Sequence, residues 1–279
     1  MSAESSATPL ASFEAKWSEA YPEFGLALKF VRGPARNECS AFACLVFELE
    51  HAAFGIREAE PAAIKLQWRA EEFTRLGKNE ARHPLTQVMA PRVQSSAVGA
   101  TQWHQVVIGA MLQRDTEPAA ERAALLEGYA RLYKPIGAID AALFGTNADA
   151  VAATLCLMRA IRETAALPNV MRDGTLPLPL DLLARHRLAR GDLANASPAR
   201  GAALREWFES LGAGLFEHVA GNAARGLGVV RASMAAANAR RASRAARATE
   251  PLGAIRPALA GLSAPVVWSA WRAARRSLV

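Results

Sequence analysis

The fold is decided by a stretch that reads Phe47-Glu48-Leu49-Glu50-His51-Ala52-Ala53-Phe54-Gly55-Ile56-Arg57-Glu58 and continues through Pro61 to Lys65-Leu66-Gln67-Trp68-Arg69. Apolar residues recur in it at spacings of three and four, which is typical of a helix with one buried face. Pro61 suits the first turn of a helix, because the amide proton that proline lacks would have no partner there. The stretch therefore predicts two helices, the second beginning near Pro61.

The same spacing recurs along the chain from Ala11 to Trp271. The 279 residues include 62 alanines, and apolar residues make up 51% of the sequence. Alanine has the highest intrinsic helix propensity, whereas alternating β-branched runs that would indicate strands are scarce. We expect an all-α fold with a single core, because a chain of this length has little room for two.

Glycine and proline predict where helices begin and end. Pro118 and Pro135 suit first turns, as Pro61 does. Gly145 suits a helix end, and Thr146 or Asn147 can cap the helix that follows. These signals predict a series of short and medium helices.

Basic residues concentrate at the C-terminal end of the chain. Residues 225–279 hold ten arginines and one acidic residue, Glu250, and the remaining 23 basic and 25 acidic residues give a charge of about −2. We expect a helical domain over residues 1–224 and an arginine-rich helical extension over residues 225–279 that packs on or beside it. Order over residues 232–250 is left open, because alanine and arginine offer little apolar surface for packing.

Several classes of function lack their sequence signals. Three cysteines, Cys39, Cys44 and Cys156, are too few and too irregularly spaced for a disulfide framework or a zinc site. The five histidines show no pair at metal-ligand spacing, and no nucleophile elbow, dinucleotide fingerprint or phosphate loop occurs. We expect no metal site and no cofactor. A nucleic-acid partner is not expected either, because the basic tail lacks interleaved aromatic residues.

The N-terminal segment and the hydropathy bear on location. Residues 1–9 are small, polar and acidic, and no run of 18 apolar residues occurs. A secretory signal and a membrane-spanning helix are therefore not predicted. We expect a cytoplasmic protein whose membrane contact would be peripheral, at the inner face. Anionic lipid could bind the arginines of residues 225–279, and the alternative is a solvated arginine face in an arginine-rich composition.

Three blocks of the sequence resemble the squalene/phytoene synthase family, in the family's order, over roughly residues 36–220. The first is the opening stretch with His83-Pro84-Leu85 after it. The second is Gly128-Tyr129-Ala130 through Gly137 to Ala142-Leu143-Phe144-Gly145. The third comprises Leu157-Met158-Arg159-Ala160-Ile161-Arg162-Glu163, then Leu176-Pro177 or Leu178-Pro179, then Asp181-Leu182-Leu183-Ala184-Arg185-His186.

The resemblance implies the isoprenoid synthase fold, a single bundle of helices around a central apolar cavity. In that family, two acidic motifs face each other across the mouth of the cavity and hold magnesium ions that bind a diphosphate. Carboxylates one helical turn apart share a face and can bracket a hard cation. Here the first motif falls near Ala52, Ala53 and Ile56, which carry no carboxylate.

Few acids remain near the two motif positions. Glu48 and Glu50 are two residues apart and point to different faces of a helix. The second motif retains Glu163 alone, with Arg159 at the position four residues before it, so Arg159 and Glu163 could form a helix salt bridge. Alternatively, Arg159 and Arg162 supply fixed positive charge for a phosphate. Glu19 and Glu23 are also one helical turn apart, but they do not lie on a helix that matches either acidic motif of the family. Both are expected to be solvated.

The candidate ligand site is therefore the mouth of the cavity. The residues expected there are Glu50, Arg159, Arg162 and Glu163, and the residues expected to line the cavity are Phe47, Gln67, Trp68 and Tyr129. No catalytic residue is assigned.

The missing carboxylates favour a non-catalytic protein. Such a protein would bind a prenyl diphosphate or an isoprenoid lipid, or act as an assembly or binding factor at the membrane surface. The resemblance gives a precedent for the second role, because family members poor in the metal motifs include a mitochondrial complex I assembly factor. The first alternative is an active, magnesium-dependent head-to-head prenyltransferase of the squalene or phytoene type. The second is an interaction module whose cavity is filled by large side chains.

Overall fold

The structure is a computed structural model that describes residues 8–33, 35–114, 117–171 and 174–278. These residues form fourteen α-helices joined by short π-helical and 3-10 segments, with no strand among them. The prediction of an all-α fold is confirmed. The helices are α1 (Pro9–Ala20), α2 (Pro22–Leu28), α3 (Ala35–Glu50), α4 (Ala59–Gly77), α5 (Pro84–Gln94), α6 (Ala100–Leu112), α7 (Arg122–Phe144), α8 (Ala148–Ala165), α9 (Leu167–Val170), α10 (Leu180–Arg185), α11 (Pro198–Val219), α12 (Gly228–Ala246), α13 (Pro251–Ala260) and α14 (Ala264–Leu278).

Helix α12 lies in the interior of the bundle and packs against α2, α8, α11, α13 and α14. Residues 231–239 are all buried, because their alanines let neighbouring helices approach closely on every side. One alternative from the sequence was that the arginines of this segment form a solvated face. Arg240, Arg244 and Arg247 are indeed exposed, whereas Arg231 and Arg241 are buried. The boundary at residue 225 falls within a 3-10 segment, Gly221–Leu227.

Helix α7 runs through Pro135, contrary to the expected break there, and Pro118 lies outside any helix. A proline inside a helix leaves the carbonyl four residues before it without its usual donor, and here that carbonyl belongs to Arg131. Gly109 of α6 packs directly against it, since a Cβ at Gly109 would lie 2.2 Å from the Arg131 oxygen. The close crossing of α6 and α7 therefore lies at the carbonyl that Pro135 leaves without a helical donor, and Pro135 itself is half-buried.

Local signals at the start of α8 are confirmed. Gly145 ends α7 in the left-handed conformation at φ 71°. Asn147 caps α8, with its side-chain oxygen accepting a hydrogen bond from the Ala150 amide at 2.9 Å. α8, which carries the second motif position, is thereby fixed at its N-terminus.

No helix in the described ranges is both long enough and apolar enough to cross a membrane.

Candidate functional site

A π-helical turn, His51–Gly55, extends α3 at the position of the first acidic motif. The guanidinium of Arg114, which follows α6, donates to the carbonyl oxygens of Ile56 at 2.8 Å, Arg57 at 3.0 Å and Ala52 at 3.3 Å. These carbonyls belong to a helix end, where four acceptors lack partners within the helix. The turn therefore binds a cation of the protein itself where the resemblance would place carboxylates.

Glu50, in the last turn of α3, is buried between two tyrosines. Its carboxylate accepts hydrogen bonds from the hydroxyl of Tyr133 at 2.9 Å and from the hydroxyl of Tyr21 at 3.3 Å. Burial raises the pKa of both phenols above their ordinary value, and the nearby Glu50 charge raises it further. Both tyrosines thus remain protonated donors, and both oxygens of Glu50 have partners.

Glu48 lies on the other face of α3, as its spacing from Glu50 predicted. It binds Lys16, Lys65 at 3.0 Å and Arg69 at 3.4 Å. Burial alone would raise the pKa of Glu48, but hydrogen bonds from Lys16 and Lys65 lower it to about 2. Glu48 therefore takes no part in the group around Glu50.

On α8, Arg159 and Glu163 form an ion pair one turn apart. The Arg159 guanidinium also lies over the ring of Phe54, 3.8 Å from its centroid. The charge of Arg159 is therefore paired with Glu163, and the flat face of its guanidinium is covered by Phe54. The pair connects α8 to the π-helical turn.

Arg162, one turn from Arg159 on α8, binds a carboxylate that the sequence reasoning missed. Its guanidinium lies 2.5 Å from the Glu23 carboxylate and 3.8 Å from the centroid of the Tyr21 ring. The same Glu23 oxygen, Oε1, also accepts from the side-chain amide of Asn238 at 3.1 Å, and Oε2 accepts from Arg241 at 2.7 Å. Burial alone would raise the pKa of Glu23, yet Arg162 and Arg241 lower it to about 2.

The expectation of a solvated Glu19 and Glu23 pair is therefore wrong for Glu23, whose exposed fraction is 0%. The reason is position: Pro22 places Glu23 in the first turn of α2, a short helix that is otherwise almost entirely apolar. That apolar composition was the available signal, because a seven-residue helix with so few polar residues is expected to be buried on all sides.

The acidic and basic groups at this mouth are balanced. Three glutamates, Glu23, Glu50 and Glu163, lie with three arginines, Arg159, Arg162 and Arg241. A magnesium ion needs several free oxygen ligands at about 2.0–2.1 Å, whereas these carboxylates already have guanidinium or hydroxyl partners. Across the part of the chain that the structure describes, no group of three or more histidine, cysteine, aspartate or glutamate side chains is placed to hold a metal ion. These residues do not fit magnesium.

Between the π-helical turn and α8 lies a cleft of about 140 Å³ whose lining includes Phe54, Arg114, Tyr129 and Glu163. This volume is below the roughly 300 Å³ at which small-molecule sites usually begin. The resemblance implied a deep apolar cavity here, whereas this cleft is partly polar and adjoins a second cleft of about 470 Å³ through the shared residues Gln113, Tyr129 and Thr175. The space of the smaller cleft is restricted by the rings of Phe54 and Tyr129, whose centroids are 6.1 Å apart, and by Arg159 against Phe54.

Of the four residues expected to line a cavity, only Tyr129 lines this cleft. Phe47 is buried and stacks on Tyr21, with ring centroids 4.4 Å apart. Gln67 and Trp68 lie on the outer face of α4 and are exposed, so their expected place in the cavity is wrong. The spacing of the buried residues of α4 turns Gln67 and Trp68 outward. These buried residues are Ala62, Leu66, Arg69, Glu72, Phe73 and Leu76.

Solved structures of two synthases superpose on most of this chain at low sequence identity. No protein-family profile matches the sequence, and a search of curated proteins finds no match. A dehydrosqualene synthase solved in complex with a ligand superposes with a TM-score of 0.65 at 14% identity, over 85% of this chain and 84% of that one. Squalene synthase HpnC from Alicyclobacillus acidocaldarius superposes with a TM-score of 0.63 at 13% identity, over 89% and 94% of the two chains. The chain therefore has the squalene/phytoene synthase-like, isoprenoid synthase fold.

Proposed function

We propose that the protein is a non-catalytic protein of this fold that binds an anionic membrane surface through α14 and acts there as a binding or assembly factor. The observation that carries the proposal is the exposed tryptophan and arginine face of α14. Fold alone does not fix function, so the proposal rests on this face and on the paired carboxylates of the mouth.

Helix α14 is amphipathic. Its buried face, Val266, Ala270, Ala273 and Ala274, packs into the molecule. On the opposite side, Trp268 is 58% exposed and stacks on Trp271 with ring centroids 4.7 Å apart, and the Arg275 guanidinium lies 5.2 Å from the Trp271 centroid. Tryptophan beside arginine is the composition that favours the boundary between lipid headgroups and acyl chains.

The mouth of the bundle supports the non-catalytic part of the proposal. Departure of a diphosphate requires divalent ions or an equivalent positive charge to neutralise it. Here Glu163 is paired with Arg159, and Glu23 with Arg162 and Arg241, so neither carboxylates nor arginines are free for that task. An active prenyltransferase would require these pairs to separate.

A prenyl chain bound in the interior is the less favoured form of the proposal. One structural neighbour was solved with a ligand, which is consistent with ligand binding in this fold. In this chain the cleft between the motif positions has about 140 Å³ and adjoins one of about 470 Å³ at Tyr129. Both clefts are partly polar, whereas the tryptophan face of α14 is already exposed.

Vesicle cosedimentation tests the proposal. The full chain should bind vesicles of phosphatidylcholine mixed with phosphatidylglycerol, and added salt should weaken this binding because it screens the arginines. Trp268→Ser/Trp271→Ser should lower the partition coefficient about tenfold, since it removes the apolar contacts of the face. Trp68→Ser is the matched control, because Trp68 is also exposed, at 39%, but lies on α4.

Equal binding by the double variant, the control and the unchanged chain would contradict the role of α14. Absence of vesicle binding by the unchanged chain would contradict membrane association altogether.

A further inference from the structure

A groove of about 700 Å³ lies between α12, α13 and the start of α14, and among the described residues Arg241 is the one that it shares with the charged groups of the mouth. One wall carries Arg240, Arg244 and Arg247, which share a face of α12 and its C-terminal end at spacings of four and three residues. All three are exposed, and none forms an ion pair with a described residue. Like charges one turn apart repel each other, so an anion in the groove would relieve this repulsion.

Two glutamates that could neutralise these arginines, Glu250 and Glu23, are bound to other partners. Glu250 is the single acid of residues 225–279. Its carboxylate accepts from Arg200 at 2.9 Å and from the Leu252 amide at 3.2 Å. Glu23 lies behind Arg241 and is held by the contacts given above. Neither glutamate lines the groove.

A fourth arginine, Arg241, also lines the groove. It is 1% exposed, and it donates from Nη1 to Glu23 at 2.7 Å and from Nη2 to the Gly261 carbonyl at 2.8 Å. Its Nε is buried and has no hydrogen-bond acceptor among the described residues. An unpaired buried donor is costly, but this side chain has no exposed surface, so the charge that a ligand in the groove meets comes from the three exposed arginines.

The rest of the lining adds a helix terminus and an apolar wall. Ser263, Pro265 and Val266 line the groove where α14 begins. Pro265 has no amide proton, and the amides of Val266 and Val267 both donate to the Ser263 carbonyl at 3.0 Å, so this end of the groove contributes lining surface and no free donor from these residues. Pro257 of α13 and Leu262 form part of the apolar wall. The volume lies within the range of roughly 300–1,000 Å³ that is usual for small-molecule sites.

We propose that this groove binds a phosphate group, as a monoester or a diphosphate, either on a free molecule or as the headgroup of a lipid. The guanidinium fork matches phosphate oxygens in pairs, and several unpaired arginines around one volume provide the charge that a dianion requires. The apolar wall would contact the carbon atoms attached to the phosphate. The inference does not depend on membrane binding by α14, because a free phosphate compound would also satisfy the site.

Calorimetry with inorganic pyrophosphate at low ionic strength is the first arm of the test. Arg240→Gln/Arg244→Gln/Arg247→Gln should weaken binding about tenfold or more, because it removes three charge-assisted contacts. The matched control, Arg82→Gln/Arg122→Gln/Arg131→Gln, removes the same charge from exposed arginines outside the groove and should stay within about twofold of the unchanged chain. All six side chains are exposed, so both variants should fold, and circular dichroism checks this.

Vesicle binding is the second arm and identifies the source of the phosphate. It compares phosphatidylcholine vesicles containing phosphatidic acid with vesicles of equal surface charge containing phosphatidylglycerol. A preference for phosphatidic acid that only the groove variant loses assigns a lipid headgroup. Pyrophosphate binding that only the groove variant loses, without that lipid preference, assigns a free phosphate compound.

The proposal is overturned if the unchanged chain shows neither binding nor preference, or if the groove variant and the control behave alike in both arms. Trp268→Ser/Trp271→Ser separates the two proposals, because it should impair general vesicle binding and leave pyrophosphate binding unchanged.

Discussion

At the scale of single residues, Glu23 joins three helices. Its carboxylate, on α2, contacts Arg162 of α8 and Arg241 of α12 with no exposed surface of its own. A buried ion pair adds little stability relative to an apolar replacement, but removal of one partner leaves uncompensated buried charge. The two arginines around one acid make Glu23 the partner whose loss should matter most.

Glu23→Gln should lower the free energy of unfolding by about 3 kcal/mol, because both arginines lose their counter-charge inside the protein. Glu19→Gln, at an exposed position four residues earlier, should change it by no more than about 0.5 kcal/mol. Urea denaturation measures both values.

In acid the difference in unfolding free energy between the two variants should shrink. The pKa of Glu23 in the folded protein, about 2, lies below its ordinary value, so the stability that its charge contributes is complete above about pH 4.5 and is lost as the pH falls towards 2. A Glu23→Gln protein as stable as the Glu19→Gln protein would contradict this account of the network.

Whether a contact at the mouth could be predicted from sequence depends on how far apart its two residues lie along the chain. Arg159 and Glu163 were predictable as a pair because they lie one helical turn apart. Tyr133 lies 83 residues from Glu50, and Arg241 lies 218 residues from Glu23. The family resemblance placed Glu50 and Arg162 near the mouth. Periodicity describes one helix at a time, so it did not show the groups that neutralise or bind them.

At the scale of helices, the crossing of α6 and α7 depends on the absence of a side chain at Gly109. The Arg131 carbonyl oxygen lies in the space that a Cβ on Gly109 would need, and Pro135 has no amide proton to donate to that carbonyl. The proline was read from sequence as a helix start. Tertiary packing allowed the helix to continue through it, which local propensity could not indicate.

Gly109→Ala should destabilise the protein by about 1–3 kcal/mol, because the added methyl group meets backbone that cannot rotate away. Gly128→Ala is the matched control within α7, where a Cβ would meet nothing within 4 Å. This control should stabilise by about 0.5–1 kcal/mol, since alanine is the better helix former. Thermal unfolding of the two variants measures the difference, and an equal effect of both substitutions would show that the crossing is not tight.

Helix α12 shows a second limit of sequence reasoning at this scale. Its alanines predicted a helix, and the helix is present. Its charge suggested a solvated segment, yet residues 231–239 are buried because small side chains pack closely with five neighbouring helices. Ala-rich composition predicts the element, whereas its depth in the bundle follows from the surfaces of the other helices.

At the scale of the whole molecule, the fold is that of the squalene and dehydrosqualene synthases, while the carboxylates at the mouth of this chain are paired with arginines and tyrosines. The three sequence blocks were enough to predict this fold, because they mark helices in a fixed order. Side chains in the interior were less predictable: the clefts beside the motif positions are partly polar, and a groove lined by arginines lies beside α14. Fold and site are therefore separate properties of this chain.

The central claim is that the carboxylates of the mouth are held by arginines and tyrosines and cannot bind magnesium. Calorimetric titration of the full chain with a non-hydrolysable farnesyl diphosphate analogue, with and without magnesium, tests it most directly. We predict that magnesium does not strengthen binding, and that any binding through the diphosphate is lost in Arg240→Gln/Arg244→Gln/Arg247→Gln. Binding that magnesium strengthens by about tenfold or more, and that Glu163→Gln abolishes, would contradict the account.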